Sequence, residues 1–215
     1  MRLRKNPKAK EALNNFKELV ITSGFDKYKS HWNEVFENKN LPLFVELGTG
    51  KGKFISELAK KYKDKANFIG IEAQTEVILQ AAKKATLIQS SNLKLLEFNI
   101  NDIVDLFSAN EVDRFYINFC DPWPKKRHSK RRLTHRNFLE KYKMILKPKG
   151  EIFLKTDNEK LFEFSLNEFA SFNTTFHNIT FDLHKSDYKE NILTEYEMKF
   201  SSQGMKIYRA EFQFN

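Results

Sequence analysis

The sequence predicts an α/β domain whose β-sheet is mostly parallel. Short apolar segments of strand-forming residues alternate with segments of helical periodicity, and a glycine-rich turn follows the first strand. Strands separated by helices are typical of a parallel sheet with helices on both faces. The C-terminal part departs from this alternation, because two strand-like segments follow each other without a clear long helix between them. We therefore expect an antiparallel C-terminal strand pair at the sheet edge.

The individual elements follow from the periodicity of the apolar residues. Apolar, β-prone residues predict five strands, at Leu43–Leu47, Phe68–Glu72, Leu93–Phe98, Phe115–Phe119 and Glu151–Lys155. Apolar residues at helical spacing predict helices at Phe54–Tyr62, Thr75–Leu87, Thr134–Leu146 and Asn158–Phe172. The antiparallel pair is predicted at Phe176–Leu183 and Lys206–Phe214.

The length of 215 residues suits one domain spanning residues 1–215. Within it, residues 1–10 read as a mobile basic tail and residues 11–42 as a peripheral helical segment with scattered aromatic residues. The charged N-terminus is followed by no apolar segment of a signal peptide, and no apolar run reaches membrane-spanning length. We expect a soluble, cytoplasmic protein, either a monomer or a homodimer.

The charge of the chain favours a polyanionic partner. The formal net charge is +9, and the stretch from Pro122 to Leu139 contains no acidic residue. An AT-rich genome, whose proteins are rich in lysine, would explain the overall charge but not this local run of cations. The single cysteine, Cys120, excludes an intrachain disulfide and disfavours a thiolate zinc site. His128 and His135 have no acidic partners nearby in the sequence, so no metal site is predicted.

A glycine-rich turn indicates a site for an adenosine-containing cofactor. Gly48, Gly50 and Gly52 lie between the first strand and its helix, where glycine lets a ligand approach the backbone. Glu72 ends the next strand, 20 residues beyond Gly52, and is placed to accept hydrogen bonds from ribose hydroxyls. A tight turn alone would also require glycines, so the acidic residue at this distance carries the prediction.

The same region distinguishes between cofactors. A dinucleotide motif places its third glycine one residue later, and no Gly-Lys-Ser/Thr triplet of a P-loop follows the turn. The anionic Glu46 suits the cationic groups of S-adenosylmethionine better than a pyrophosphate. Asn99 or Asn101, after the third strand, offers both a donor and an acceptor to an adenine edge. Either residue, or Asp102, fits equally well as the cap of a following helix.

The segment Asn118–Pro124 presents an acidic residue beside an aromatic ring. Asp121 should emerge at the end of the fourth strand, and Pro122 and Pro124 stiffen the turn. Trp123 fits either a core position or a stacking platform for a nucleobase. Asp121 itself could instead cap the turn. We favour a role in which it holds a nucleobase while the following cations hold phosphates.

Together these segments resemble the bacterial tRNA (guanine-N(7)-)-methyltransferase family. The matching motifs span nearly the whole chain, at Glu46–Gly52, Gly70–Glu72, Asn118–His128 and Thr194–Glu197. The Asp-Pro-Trp-Pro-Lys-Lys-Arg-His block and the late Thr-Glu-Tyr-Glu are the specific ones, whereas many methyltransferases share the glycines and Glu72. Asn99 stands where many relatives carry aspartate.

The resemblance implies a Rossmann-like class I methyltransferase that moves a methyl group from S-adenosyl-L-methionine to guanine N(7) in the tRNA variable loop. It implies that Asp121 is catalytic. The cofactor residues would be Glu46, Gly48, Gly50, Gly52, Glu72, Asn99 and Asp121. The residues for the substrate and the RNA would be Lys125, Arg127, His128, Ser129, Lys130, Arg131, Arg132, Asp157, Thr194, Glu195, Tyr196 and Glu197.

Several readings remain open beside this one. Asp157 could be a helix N-cap, and Thr194–Glu197 on composition alone reads as a solvated loop. Amino methylation of adenine or cytosine uses a similar Asp/Asn-Pro-Pro-aromatic turn, although a tryptophan here replaces the second proline. A tRNA-binding module without chemistry is an alternative of another class, and a dehydrogenase is a third.

Overall fold

The computed structural model describes residues 8–88, 90–201 and 203–215. The chain divides into two compact units, Met1–Phe107 and Ser108–Asn215. Each unit is described by itself below. Residues 1–7 of the predicted basic tail lie outside the described residues, and Ala9 begins a helix. The prediction of one domain over residues 1–215 stays a prediction.

The first unit contains a parallel sheet. Its strands are β1 (Val20–Ile21), β2 (Leu43–Leu47), β3 (Asn67–Glu72) and β4 (Leu93–Glu97), in the spatial order β1-β4-β3-β2. All the pairings given for these strands are parallel. The helices are α1 (Ala9–Leu13), α2 (Lys53–Lys61), α3 (Thr75–Thr86) and α4 (Ile103–Leu106). Short 3-10 helices cover Asn14–Phe16, Phe25–Lys27, Trp32–Val35 and Ile100–Asp102.

The predicted strand–helix alternation of this unit is confirmed to within a residue or two at each boundary. Helices α2 and α3 contact each other; α2 packs on β3, and α3 packs on both β3 and β4. The apolar residues of α2 recur at helical spacing and are buried, at Phe54, Ile55, Leu58 and Ala59. This packing fixes the carboxyl ends of β2, β3 and β4 at one edge of the sheet, where the loops that carry candidate residues begin.

The segment before β2 contributes more to the interior than its scattered aromatics suggest. Trp32 has no exposed surface, and its Nε1 donates to the Leu106 carbonyl at 2.8 Å. Its ring lies 5.1 Å from that of Tyr28 and 5.8 Å from that of Phe107. The sequence did not indicate β1, whose two residues pair with β4 and are too few to show a periodicity.

The second unit combines one parallel and two antiparallel pairings. Its strands are β5 (Val112–Asn118), β6 (Leu146–Thr156), β7 (Thr174–Thr180) and β8 (Tyr208–Phe214), in the order β5-β6-β8-β7. Strands β5 and β6 are parallel, whereas β8 is antiparallel to both β6 and β7. The helices are α5 (Arg136–Ile145), α6 (Glu159–Ala170) and α7 (Glu195–Ser201), with 3-10 helices at Lys126–Arg131 and Leu183–Lys185. Taken over both units, four of the pairings given are parallel and two are antiparallel, so the predicted mostly parallel sheet with an antiparallel C-terminal pair is confirmed.

Aromatic side chains fill the interior of this unit. Helix α6 packs on β6 and β8, and Phe169 of α6 stacks on Phe212 of β8 with ring centroids 3.7 Å apart. Phe115 of β5 lies 5.1 Å from the buried Tyr142 ring of α5. These contacts hold the strand ends from which the second group of candidate residues emerges. Within the described ranges, no helix is long and apolar enough to cross a membrane.

Candidate active site

The glycine turn of the first unit leaves its backbone accessible. Gly50 has φ +55°, a left-handed conformation, and a Cβ built there would meet nothing within 4 Å. Gly52 also has a positive φ, but its Cβ would lie 2.7 Å from the Cβ of Ala81 in α3. Glycine at 52 therefore allows helices α2 and α3 to approach closely, while glycine at 50 leaves open space for a ligand beside the backbone.

Glu72 lies beside this turn, as its spacing predicted. Its Oε2 accepts a hydrogen bond from the Gly50 N–H at 3.2 Å, and its Oε1 accepts one from the Gln74 N–H at 3.0 Å. The carboxylate is half-buried at the end of β3. These two bonds orient it next to the glycine backbone, where a ribose would lie in an adenosine site.

Glu46 is the more deeply buried carboxylate of the same edge. Its residue is only 2% exposed, and its Oε2 accepts a hydrogen bond from the Thr49 hydroxyl at 2.5 Å. Burying a carboxylate is unfavourable unless hydrogen bonds or a cation compensate it. Gly48, between these two residues, donates its N–H to the Ile71 carbonyl at 3.0 Å. The acidic group is therefore built into the start of the turn.

Asn99 follows β4 and acts as a cap in this structure. Its Oδ1 accepts a hydrogen bond from the Asn101 N–H at 3.0 Å and begins the 3-10 helix Ile100–Asp102. The Phe98 N–H donates to the Glu72 carbonyl at 3.1 Å, so the residue that precedes Asn99 lies beside the end of β3. The capping reading is observed for Asn99, and the cap uses only the side-chain oxygen.

In the second unit, Asp121 is exposed in a turn with unusual backbone geometry. The Phe119 N–H donates to the Lys155 carbonyl at 2.8 Å, so this turn begins beside the end of β6. Phe119 and Trp123 have φ values of 50° and 39°, in the left-handed region. That region costs a residue with a bulky side chain about 1–2 kcal/mol. Two such residues flanking one exposed carboxylate indicate a functional constraint on the turn.

Arg132 stabilises this turn from the outside. Its Nε donates to the Pro122 carbonyl and its Nη2 to the Trp123 carbonyl, both at 3.0 Å. The guanidinium also lies 4.3 Å from the centroid of the Phe164 ring. Arg132 is half-buried. Sequence reasoning grouped it with the RNA-binding cations, but the structure shows a guanidinium that hydrogen-bonds the Asp121 turn.

Trp123 is not a core residue. Its ring is half-buried, with Arg131 at 4.9 Å and the ring of His128 edge-on at 5.8 Å. Cys120, also in the turn, is half-buried, and desolvation of its thiol raises the pKa to about 12. A thiol with a raised pKa is protonated at neutral pH and is a poor nucleophile.

The basic segment after the turn folds as the 3-10 helix Lys126–Arg131. Four cations of this helix and the lysine that precedes it are exposed to solvent, as is expected for phosphate contacts, at Lys125, Lys126, Arg127, Lys130 and Arg131. His128 and Ser129 are half-buried. His135 caps α5, where its Nδ1 accepts from the Asn137 N–H at 3.2 Å, and burial lowers its pKa. Within the described ranges, no three His, Cys, Asp or Glu side chains are grouped to hold a metal ion.

Asp157 and Tyr196 meet in the second unit, although 39 positions separate them in the chain. Burial, and then the charge of Asp157 and a side-chain hydrogen bond with it, raise the pKa of Tyr196. Tyr196 is 44% exposed, and its ring lies 5.2 Å from that of Phe119 in the Asp121 turn. The reading of Asp157 as a helix cap is wrong, because Asn158 caps α6 by accepting from the Leu161 N–H at 2.8 Å.

The Thr194–Glu197 motif is a helix start, not a solvated loop. The Glu197 N–H donates to the Thr194 hydroxyl at 2.9 Å, and the Thr194 N–H donates to Glu197 Oε2 at 3.4 Å. This reciprocal pair is the capping box of α7, and its Ser/Thr-x-x-Glu spacing is a signal that sequence reasoning missed. Thr194 and Glu197 are buried, whereas Glu195 and Tyr196 are exposed.

Comparison with known proteins relates the whole chain to one group of enzymes. A family model described as "Putative methyltransferase" matches residues 40–210. The tRNA (guanine-N(7)-)-methyltransferase of Clostridioides difficile is 52% identical, covering 98% of both chains. The proteins of the same name from Halalkalibacterium halodurans and Streptococcus mutans are 47% and 46% identical over all of this chain, which covers 96% and 100% of their lengths.

Solved structures support the fold. An antibiotic-related methyltransferase superposes with a TM-score of 0.60 at 13% identity, covering 93% of this chain and 98% of that one. The 16S rRNA methyltransferase KamB superposes with a TM-score of 0.60 at 12% identity, covering 81% and 88%. At such identities the likeness concerns the fold alone, which is the Rossmann-like fold of methyltransferases.

Proposed function

This chain belongs to the tRNA (guanine-N(7)-)-methyltransferase family, and we therefore propose that it methylates N(7) of a guanine in the variable loop of tRNA. The observation that carries this proposal is the 52% identity over 98% of the chain to the enzyme of that name from Clostridioides difficile. The two groups of candidate residues described above are consistent with it, since one suits an adenosine cofactor and the other suits a nucleobase beside a basic surface.

The residues of the first unit fit S-adenosyl-L-methionine as the cofactor. A side chain at Gly50 would occupy otherwise open space, so the bare backbone there leaves room for a ligand next to Glu72. Glu72 would accept hydrogen bonds from the ribose hydroxyls, and Asn99 would contact the adenine edge. Glu46 supplies a buried negative charge that suits a cationic cofactor. When bound, the cofactor supplies a methyl group activated by the positive charge on its sulfur.

Asp121 is the residue to which we assign the chemical step. Guanine N(7) carries a lone pair and no proton, so the attack requires no general base. Positive charge accumulates on the purine during the transfer, and a fixed carboxylate stabilises that charge. Asp121 would also accept hydrogen bonds from the guanine N–H groups and so orient N(7) for in-line attack. The left-handed residues on either side of it hold this carboxylate in one place.

The exposed cations supply the affinity for tRNA. Lys125, Arg127, Lys130 and Arg131 project into solvent from one short segment that follows Asp121. Each phosphate they neutralise releases counterions, so binding weakens steeply as salt increases. Tyr196 lies against Phe119 at the start of the same turn and interacts with Asp157, and we assign both residues to the flipped guanine.

The decisive experiment identifies the modified base. Purified protein is incubated with unmodified tRNA and S-adenosyl-L-methionine labelled on its methyl group, and the product nucleosides are separated and mapped. We expect 7-methylguanosine at one position of the variable loop. Label in an amino-methylated adenine or cytosine would instead favour the related amino-methyltransferase chemistry. Tight tRNA binding without cofactor binding or label transfer would leave a binding module.

A further inference from the structure

A buried ion pair joins the end of β6 to the start of α7. The Lys155 Nζ lies 2.7 Å from Glu197 Oε2, and the two side chains are 6% and 0% exposed. The same ammonium donates to Asn191 Oδ1 at 3.0 Å and to the Ile192 carbonyl at 2.8 Å. An ammonium has three protons to donate, and these contacts provide three acceptors.

Glu197 is satisfied from its other side as well. Its Oε1 accepts from Asn191 Nδ2 at 2.6 Å and lies 3.2 Å from His184 Nε2. The capping box adds two bonds between backbone and side chain: the Thr194 N–H donates to Glu197 Oε2, and the Glu197 N–H donates to the Thr194 hydroxyl. Glu197 therefore connects the 3-10 helix at Leu183–Lys185, the loop before α7 and strand β6.

The position of this pair matters because each of its two residues has a candidate site residue beside it in the sequence. Asp157 follows Lys155 by two positions, and Tyr196 directly precedes Glu197. The Tyr196 ring packs 5.2 Å from Phe119, and its hydroxyl lies near enough to Asp157 for that carboxylate to help raise the pKa of Tyr196, after the larger effect of burial. With no strand pairing of its own, the loop before α7 depends on side-chain contacts such as those of Lys155 for its placement in the second unit.

We propose that Lys155 is a positioning residue for guanine recognition, which acts through Glu197 to hold Tyr196 against Asp157 and Phe119. The inference rests on the proposed function, since it assigns to Lys155 the alignment of a site for the methylated base. Buried ion pairs contribute little net stability compared with apolar pairs of the same volume, and their best-supported role is to select one arrangement over others. Here the selected arrangement is that of α7 on the end of β6.

The test compares Lys155→Met with Lys147→Met. Both lysines lie on β6 and form ion pairs, but the Lys147 side chain is 38% exposed and its partner Asp113 is 26% exposed. For Lys155→Met we expect kcat/KM for tRNA to fall at least tenfold, while the Kd for S-adenosyl-L-methionine changes less than twofold. Lys147→Met should leave both values within twofold of the original protein.

Two further variants distinguish positioning from a general loss of stability. In a Tyr196→Ala background, Lys155→Met should lower kcat/KM by less than a further twofold, because the residue through which it acts is already absent. The double change Lys155→Met with Glu197→Gln removes the unpaired buried charge, so the free energy of unfolding should recover, but it does not restore the link between β6 and α7, so kcat/KM should stay low. Amide hydrogen exchange should increase in residues 191–197 of Lys155→Met, without a matching increase in β5.

The outcomes separate this inference from the proposed function. If the original protein forms no 7-methylguanosine, the function is wrong, while the hydrogen-exchange comparison still reports whether Lys155 holds residues 191–197. If the original protein is active and Lys155→Met retains both kcat/KM and the exchange pattern, the positioning role is refuted. An equal additional loss in the Tyr196→Ala background would also refute it, because Lys155 would then act independently of Tyr196.

Discussion

Substitution by alanine should impair different properties at two neighbouring arginines, Arg131 and Arg132. Arg132 donates two hydrogen bonds at 3.0 Å to the carbonyls of Pro122 and Trp123, and its guanidinium faces the Phe164 ring at 4.3 Å. Arg131 is exposed, and its guanidinium lies over the Trp123 ring, 4.9 Å from the ring centroid. We expect Arg132→Ala to impair turnover and Arg131→Ala to impair tRNA binding.

The free energy with which Arg132 stabilises the turn can be estimated from its contacts. A hydrogen bond from a charged donor contributes about 1.5–3 kcal/mol, and the half-buried position favours the lower end of that range. A cation–π contact at a partly exposed site adds about 0.5–1 kcal/mol. Two bonds and one ring contact therefore give about 3.5 kcal/mol. This exceeds the cost of about 1–2 kcal/mol for the left-handed Trp123, so the turn should relax once Arg132 is removed.

The assay measures the affinity for tRNA over a range of salt concentrations, together with kcat at saturating tRNA. Arg132→Ala should lower kcat by about two powers of ten, because the relaxed turn displaces Asp121. Its logarithmic salt slope should equal that of the original protein. Arg131→Ala should retain kcat, and its slope should decrease by about 0.7–0.9, the contribution of one phosphate contact.

The salt slope decides between the two roles. If Arg132→Ala loses as much slope as Arg131→Ala and keeps its kcat, then the guanidinium binds a phosphate in the complex. The reasoning from its hydrogen bonds to the turn would then be refuted. A variant that fails to fold would be recognised by its circular dichroism and by loss of cofactor binding.

Three other substitutions test separate features. Asp121→Ala should lower turnover by about two to three powers of ten with the fold intact. Substitution of the exposed Asp64 by alanine serves as the control. A wild-type rate for Asp121→Ala would exclude the role assigned to Asp121. Thr194→Ala removes the capping hydroxyl, which typically costs about 1 kcal/mol, and a free energy of unfolding within a few tenths of the original by urea titration would contradict the capping box. Burial lowers the pKa of His135 below its ordinary value of 6.5, so the unfolded chain binds the proton more readily and stability falls as the pH decreases through and below about 6.5. His135→Asn keeps a cap without this proton, and its stability should decrease less between about pH 7 and about pH 5; an unchanged pH dependence would mean that His135 does not contribute.

Much of the fold could be predicted because it depends on local pattern. The strands β2, β3 and β4 and the helices between them appear within a residue or two of the predicted boundaries, since their buried residues recur at strand or helix spacing. The glycine turn and Glu72 are also a local signal, and the structure joins them by the bond from the Gly50 N–H. The antiparallel pair was predicted in type, although β7 begins and ends earlier than its apolar residues suggested.

What the amino-acid sequence alone determined was the alternation of strands and helices, the excess of cations after Asp121 and the family resemblance. Only the tertiary structure decided how individual polar side chains are used. Arg132 looks like the other arginines of its segment until its bonds to Pro122 and Trp123 are seen. Glu197 looks like a surface residue until Lys155, 42 positions earlier, is found beside it. Periodicity reports which face of an element is buried, whereas the partner of a buried charge depends on contacts between elements far apart in the chain.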